Sequence, residues 1–253
     1  MTTDAAVVAM SFLVGLLVGL TSMGGAALMT PFLILIVGVR PLIAVGTDLA
    51  YGAITKFTGA WMHWHQRTVD LRVALYLACG SLPGGTIGFL VIRELRREAI
   101  DADQYLRRAI GVVLMTVAVL LFIRNFVKIP EIPGSFRRYE NVTIVVWGLL
   151  VGFAVGMTSV GSGSLIAPFL LALYPSVPAR VVGTDVFHAA LLVCVTALLH
   201  VQAGRVEWHL MPMLLAGSIP GVLIGSYLAP RLPSRTLRVG LSLVLLTTGA
   251  KLV

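Results

Sequence analysis

Apolar positions along the chain run in long unbroken stretches, without the every-second-residue alternation of a half-buried strand. Ten such segments can be drawn, at 5–21, 24–38, 42–62, 71–92, 106–127, 142–158, 163–174, 179–200, 208–229 and 236–253. Most reach the roughly 18–20 residues that an α-helix needs to cross a bilayer. The second and seventh, about 15 and 12 residues long, are short for a full crossing and read as half-helices or re-entrant pieces. Lys128 to Asn141, "KIPEIPGSFRRYEN", is the one clearly hydrophilic interior stretch, and its prolines, glycine and charges make it a linker. The pattern predicts an all-α polytopic membrane protein.

The segments repeat. A shift of 137 residues lays Gly15 and Gly19 on Gly152 and Gly156, Thr21-Ser22 on Thr158-Ser159, and Gly24 on Gly161. The same shift matches "PFL" at Pro31 with "PFL" at Pro168, and "GTD" at Gly46 with "GTD" at Gly183. It also matches His63 with His200, Val69-Asp70 with Val206-Glu207, and "GSLPG" at Gly80 with "GSIPG" at Gly217. This register predicts a first membrane repeat over 1–127, a linker over 128–141 and a second repeat over 142–253, five segments each. Five crossings per repeat would invert the second copy in the membrane, as in many secondary transporters. Re-entrant short segments would change the parity and make the copies parallel. Arg93, Arg96, Arg97, Arg107 and Arg108 place the loop after the fourth segment in the cytoplasm, while Arg137 and Arg138 in the linker pull the other way.

Composition supports the membrane reading: 58% of the 253 residues are apolar and only 12% are charged, with mean hydropathy +0.95. Soluble domains carry about 25% charge. Continuous apolar runs also exclude a β-barrel. The net charge of +8 is not a nucleic-acid signature here, because the arginines lie in short connections where they set topology and meet anionic headgroups. Cys79 and Cys194 stand alone in separate segments and read as small core residues, with neither a disulfide framework nor metal spacing. "MTTDAAVVAM" at the start has no basic leader and reads as uncleaved.

Within each repeat, "SMGGAALMTPFL" and "SVGSGSLIAPFL" place glycines between a Thr-Ser pair and a short apolar segment. Glycine lets the chain leave helical geometry and lets other groups approach its backbone. Irregular backbone at membrane depth survives only against protein or a wet cavity. The helix start that follows offers free N–H groups and partial positive charge, which suits an anion. Thr21, Ser22, Gly24, Gly25, Thr158, Ser159, Gly161, Ser162, Gly163 and Ser164 are therefore the candidate substrate-binding residues. The competing reading gives the glycines a packing role, since small residues bring membrane helices together.

The third segment of each repeat carries charge. Asp48, Gly52, Lys56, Gly59 and His63 share a helix face, and Asp185, Ala189, Thr196 and His200 form its counterpart. Ionisable groups at membrane depth face a cavity or a partner. Asp48, Asp185, His63 and His200 are candidates for proton or ion coupling. Alternatively, the two aspartates cap their helices, and the two histidines sit at the membrane interface. Lys56 has Val193 as its counterpart, so it reads as a charge for a negative substrate or as an internal ion pair with Asp48. "HWHQR" at His63 is not a metal site, because residues i and i+2 do not share a helix face. Pro83 and Pro220 are expected to kink their helices. No cofactor or nucleic-acid motif is present, and nothing specifies or excludes a homodimer.

The chain resembles the TauE/SafE family of sulfite exporters and related permeases. The resemblance rests on "GLTSMGGAALMTPFL", "VGTDLAYGAITK", "RTVD" at Arg67, "GSLPGGTIG" and their second copies, and it covers nearly the whole chain. It implies movement of sulfite, sulfoacetate or other organosulfonates across the bacterial cell (inner) membrane. Many members carry serine where this chain has Asp48 and Asp185. The residues agree on the sign of the substrate: hydroxyls, helix starts and Lys56 all favour an oxyanion. The expected mechanism is alternating access around a small anion held between the repeats. The alternatives are an anion channel and a permease for a different small organic anion. An enzyme is not expected, as no nucleophile motif in strand–turn–helix context is present.

Overall fold

A computed structural model of the chain describes residues 4–21, 26–98, 101–123, 140–173, 178–228 and 234–253. Ser22, Gly24 and Gly25 of the first glycine stretch lie outside the described residues. The described residues form ten α-helices and no strands: α1 (Asp4–Thr21), α2 (Ala26–Phe32), α3 (Pro41–His65), α4 (Leu71–Arg97), α5 (Ala102–Ile123), α6 (Glu140–Thr158), α7 (Ile166–Leu173), α8 (Pro178–Gln202), α9 (Leu210–Leu228) and α10 (Ser234–Leu252). A π-helical turn over Leu33–Val37 extends α2 and ends at Gly38. Gly38 has φ +79°, a left-handed conformation in which a side chain would be strained.

Local chemistry sets the helix starts. Pro41 opens α3, where its missing N–H costs nothing and its fixed φ suits the first helical position. Asp70 caps α4, its carboxylate accepting the Val73 N–H at 3.3 Å. Asp101 does the same for α5 through the Gln104 N–H at 3.1 Å. Pro83 and Pro220 lie inside α4 and α9, and both helices continue unbroken through them.

Leu71–Arg97, Ala102–Ile123, Glu140–Thr158 and Arg180–Gln202 are long and apolar enough to cross a membrane. Large apolar side chains cover the outside, among them Phe57, Trp61, Leu150, Leu198 and Leu223, the surface expected of a multi-pass protein in lipid. Cys79 is also exposed and Cys194 half-buried, so neither is the core residue that composition predicts. In lipid an apolar residue has no need to be inside.

Glycine sets the helix pairing. Where α4 meets α6, Gly80, Gly84 and Gly88 face Val145, Leu149 and Phe153, so the two helices run parallel at constant offset. In return Gly152 and Gly156 of α6 lie against the backbones of Ser81 and Gly85. The same arrangement joins α1 to α9, where Gly217, Gly221 and Gly225 face Val8, Phe12 and Leu16. A Cβ at any of these glycines would overlap the partner backbone. α3 and α8 pack antiparallel: Gly52 meets Val193, Gly59 meets Val186, and Trp64 stacks on Phe187 at 5.4 Å. α5 and α10 also run antiparallel, with Arg107 bonded to the Lys251 carbonyl and Met115 against Gly249.

Several of these contacts recur under the 137-residue offset. Thr47 accepts the Glu207 N–H at 2.9 Å, and Thr184 accepts the Asp70 N–H at 2.9 Å. Gly46 abuts the Arg205 carbonyl, and Gly183 abuts the Thr68 carbonyl.

Candidate functional site

Between α6 and α7 the chain turns out of helical geometry. Ser159 still closes the last turn of α6, its N–H bonded to the Val155 carbonyl at 2.8 Å, but its own φ is +65°. Gly161 follows with φ +123°, a conformation that L side chains rarely adopt. These two residues reverse the backbone, and Leu165 N–H returns to the Gly161 carbonyl at 3.0 Å before α7 begins. Thr158, Ser159, Gly161, Ser162 and Ser164 are buried and Gly163 is half-buried. Thr158 itself turns back to the Ala154 carbonyl at 2.7 Å and accepts the Val160 N–H at 3.2 Å, so its hydroxyl is used within the turn. Thr21, its counterpart, is the last residue of α1.

The turn meets the charged face of α3. Asp48 is 1% exposed, and its Oδ2 accepts two hydroxyl hydrogen bonds, from Ser159 at 2.8 Å and from Thr30 of α2 at 2.5 Å. Two turns along α3, the Lys56 ammonium donates to Ser162. The internal ion pair with Asp48 is therefore not formed, although Asp48 and Asp185 both act on Lys56 electrostatically. Ser164, by contrast, has no hydrogen-bond partner among the described residues for its buried hydroxyl.

Neither aspartate caps a helix. Pro41 opens α3 and Pro178 opens α8, so Asp48 and Asp185 both lie two turns inside. Asp185 is buried, and its Oδ1 has no hydrogen-bond partner among the described residues. Under the offset, Thr30 corresponds to Ala167, which has no hydroxyl to offer Asp185.

The histidines separate. His63 is half-buried near the end of α3 and bonds Thr68 Oγ1 at 2.9 Å, while His65 turns to the Trp61 carbonyl at 2.9 Å. His200, near the end of α8, is fully buried, with Nε2 at 3.4 Å from the Gly156 carbonyl and its ring edge-on to Phe89 at 5.1 Å.

Sequence reading missed six residues around this centre. Thr30 and His188 are two, the latter bonded through Nε2 to Ser81 of α4 at 2.7 Å. Tyr51, the counterpart of His188, stands beside Ser218, the counterpart of Ser81. The usable signal was the 137-residue offset itself, which pairs Tyr51 with His188 and Ser81 with Ser218. The sixth, Arg205, lies in the α8–α9 connection, 3% exposed, with its guanidinium over the Phe89 ring at 4.7 Å. Burial, with Arg96 and Arg93 nearby, pushes its pKa below the usual arginine range, yet an arginine remains protonated in a protein.

The arrangement gathers hydroxyl donors, one ammonium and two carboxylates inside a helical membrane protein. That set can bind an anion and exchange a proton. Comparison with known proteins places the chain among membrane transporters. The chain is 40% identical over 255 residues to the probable membrane transporter protein YjnA of Bacillus subtilis, covering 99% of this chain and 100% of that protein. It is 25% identical over 260 residues to the probable membrane transporter protein YunE of the same organism, covering 95% and 92%. A probable membrane transporter protein of Xylella fastidiosa is 29% identical over 227 residues, covering 87% and 82%. No solved structure matches the chain significantly. The family model described as sulfite exporter TauE/SafE matches residues 7–252, and the chain belongs to that family of membrane transporters.

Proposed function

We propose that this protein carries small sulfur-containing oxyanions, such as sulfite, sulfoacetate or other organosulfonates, across the bacterial inner membrane by alternating access. The anion binds at the glycine turn between α6 and α7 and its counterpart after α1, with Lys56 supplying the attracting charge. The observation that carries this reading is the hydrogen bond from Lys56 to Ser162 beside the pair Ser159–Asp48. A lysine at membrane depth is costly unless it serves a partner, and its counterpart is Val193.

Asp48 supplies the coupling. Its carboxylate takes the two hydroxyls, Thr30 and Ser159, that an oxyanion in the same place would use. Two like charges sharing those donors repel, so a proton on Asp48 admits the substrate. Substrate and proton then share the carrier. Asp185, His63 and His200 are further candidates for ion coupling.

The chain is read as two inverted repeats, 1–127 and 142–253, joined by a linker over 128–141. The antiparallel packing of α3 on α8 and of α5 on α10 supports inversion, since each pair consists of equivalent segments. The moving bodies are not the repeats themselves. α1 is held by α9 and α4 by α6 through close backbone contact, so each rocking unit takes helices from both repeats and works against α3 and α8.

Flux of labelled sulfite, sulfate and sulfoacetate into proteoliposomes, with and without a pH gradient, tests the reading. Saturable flux that Lys56→Gln reduces tenfold or more is expected. A non-saturating, channel-like flux, or a Lys56→Gln variant that is folded and carries all three anions at wild-type rates, refutes it.

A further inference from the structure

The 137-residue offset pairs Thr68 with Arg205, and the two ends of the bundle treat that position differently. At one end Thr68 is satisfied: its hydroxyl bonds His63 Nδ1 at 2.9 Å, and its N–H bonds the His63 carbonyl at 3.2 Å. At the other end the backbone bond is kept, Arg205 N–H to the His200 carbonyl at 3.0 Å, but the side-chain bond is lost. Among the described residues, Arg205 Nε and Nη1 are buried with no hydrogen-bond partner, and so is His200 Nδ1. With His200 donating from Nε2 to Gly156, its Nδ1 is an acceptor, yet it takes no proton from the guanidinium. No carboxylate among the described residues pairs with Arg205. Glu94, the acid on the facing end of α4, is instead engaged by Arg97 at 3.5 Å.

A buried arginine without a counter-ion is expensive. Here it is joined by further positive charge: Arg93 and Arg96, exposed on the last turns of α4, act on it electrostatically. Arg205 Nε and Nη1 are both N–H donors of a permanently charged guanidinium, and a tetrahedral oxyanion supplies the acceptors that such donors lack. The site also adjoins the central cluster. The Arg205 carbonyl rests on Gly46, two residues before Asp48, and His200 bonds Gly156, three residues before Ser159.

We propose that Arg205 forms a second oxyanion-binding site, at the arginine-rich end of the bundle, which holds a sulfonate, sulfate or phosphate group. Arg93 and Arg96 attract the anion, and the unpartnered N–H groups of Arg205 bind it. The site's place on the transport path, as the station before the central cluster, rests on the transporter reading; the binding itself does not.

The test is equilibrium binding of labelled inorganic sulfate to the full-length protein in detergent, competed with inorganic phosphate. Native mass spectrometry of retained phosphatidylglycerol runs beside it. Lys56→Gln, which removes the central charge, is expected to keep one saturable sulfate site. Adding Arg205→Gln to it should weaken that site about tenfold or more, the size of effect that losing charge-assisted hydrogen bonds produces. Arg93→Gln/Arg96→Gln, both exposed and safe for folding, should weaken it about two- to threefold and flatten its salt dependence. This pair remains informative if the Arg205 variant aggregates. Phosphatidylglycerol that is retained by wild type and lost in Arg205→Gln identifies the oxyanion as a lipid headgroup. Displacement by free sulfate identifies it as the soluble ion. Equal sulfate binding in Lys56→Gln and Lys56→Gln/Arg205→Gln overturns the second site and leaves the central one standing. Sulfate binding abolished by Arg205→Gln alone and untouched by Lys56→Gln overturns the central reading and keeps this one.

Discussion

Ser159 carries two opposed terms that substitution can separate. Its φ of +65° is left-handed, which costs an L residue about 1–2 kcal/mol relative to glycine. Its hydroxyl gives Asp48 a hydrogen bond of 2.8 Å, and bonds to charged groups contribute about 1.5–3 kcal/mol. Ser159→Ala loses the bond and keeps the strain, so it should be destabilised by about 1.5–3 kcal/mol. Ser159→Gly loses the same bond but releases the strain, so it should recover about 1–2 kcal/mol of that loss. In a chain of this size 1 kcal/mol moves the melting temperature by about 2–4 °C, so the glycine variant should melt about 2–8 °C above the alanine variant. Tryptophan fluorescence in detergent reads the melt. Flux in proteoliposomes reads the other half: both variants lack the hydroxyl, so both should lose transport equally. Equal melting temperatures refute the strain argument. Wild-type flux in the glycine variant refutes the hydroxyl's role in substrate handling.

Asp48→Asn keeps the size of the side chain but not its titration, and flux through it should no longer respond to a pH gradient imposed across proteoliposomes. Gly152→Ala would drive a methyl into the Ser81 backbone and should cost about 1–3 kcal/mol or abolish membrane accumulation. Gly240→Ala on α10 meets nothing within 4 Å and should stabilise by about 1 kcal/mol in the same melting assay. Thr47→Val and Thr184→Val each remove the acceptor of one backbone N–H, at Glu207 and Asp70. They should lower the melting temperature by similar amounts, corresponding to roughly 1 kcal/mol each.

The helices were legible because bilayer thickness makes segment length a strong signal, and nearly every predicted segment has its helix. The α3–α8 and α4–α6 contacts were not, because hydropathy does not say which apolar face meets protein and which meets lipid. Cys79 shows the consequence: apolar, and yet outside. The capping role considered for Asp48 and Asp185 fails for a local reason. "GTD" sits near the start of each apolar run, but Pro41 and Pro178 begin the helices about two turns earlier. Lys56 and Ser162 were both singled out, but their meeting could not be read from either segment. Arg205 was lost among arginines assigned to topology. Its difference from Thr68, at equivalent positions of the repeat, was the one mark that it bore.

The parallel partners of α1 and α6 have a consequence for biosynthesis. α6 is made after α4 and finds its partner waiting. α1 is made first, yet the helix that it grips, α9, begins at Leu210. Its glycine-bearing side must therefore spend most of translation against lipid or a chaperoning insertase. A ribosome that stalls before α9 would leave a chain whose first helix is unclaimed, a ready target for membrane proteases.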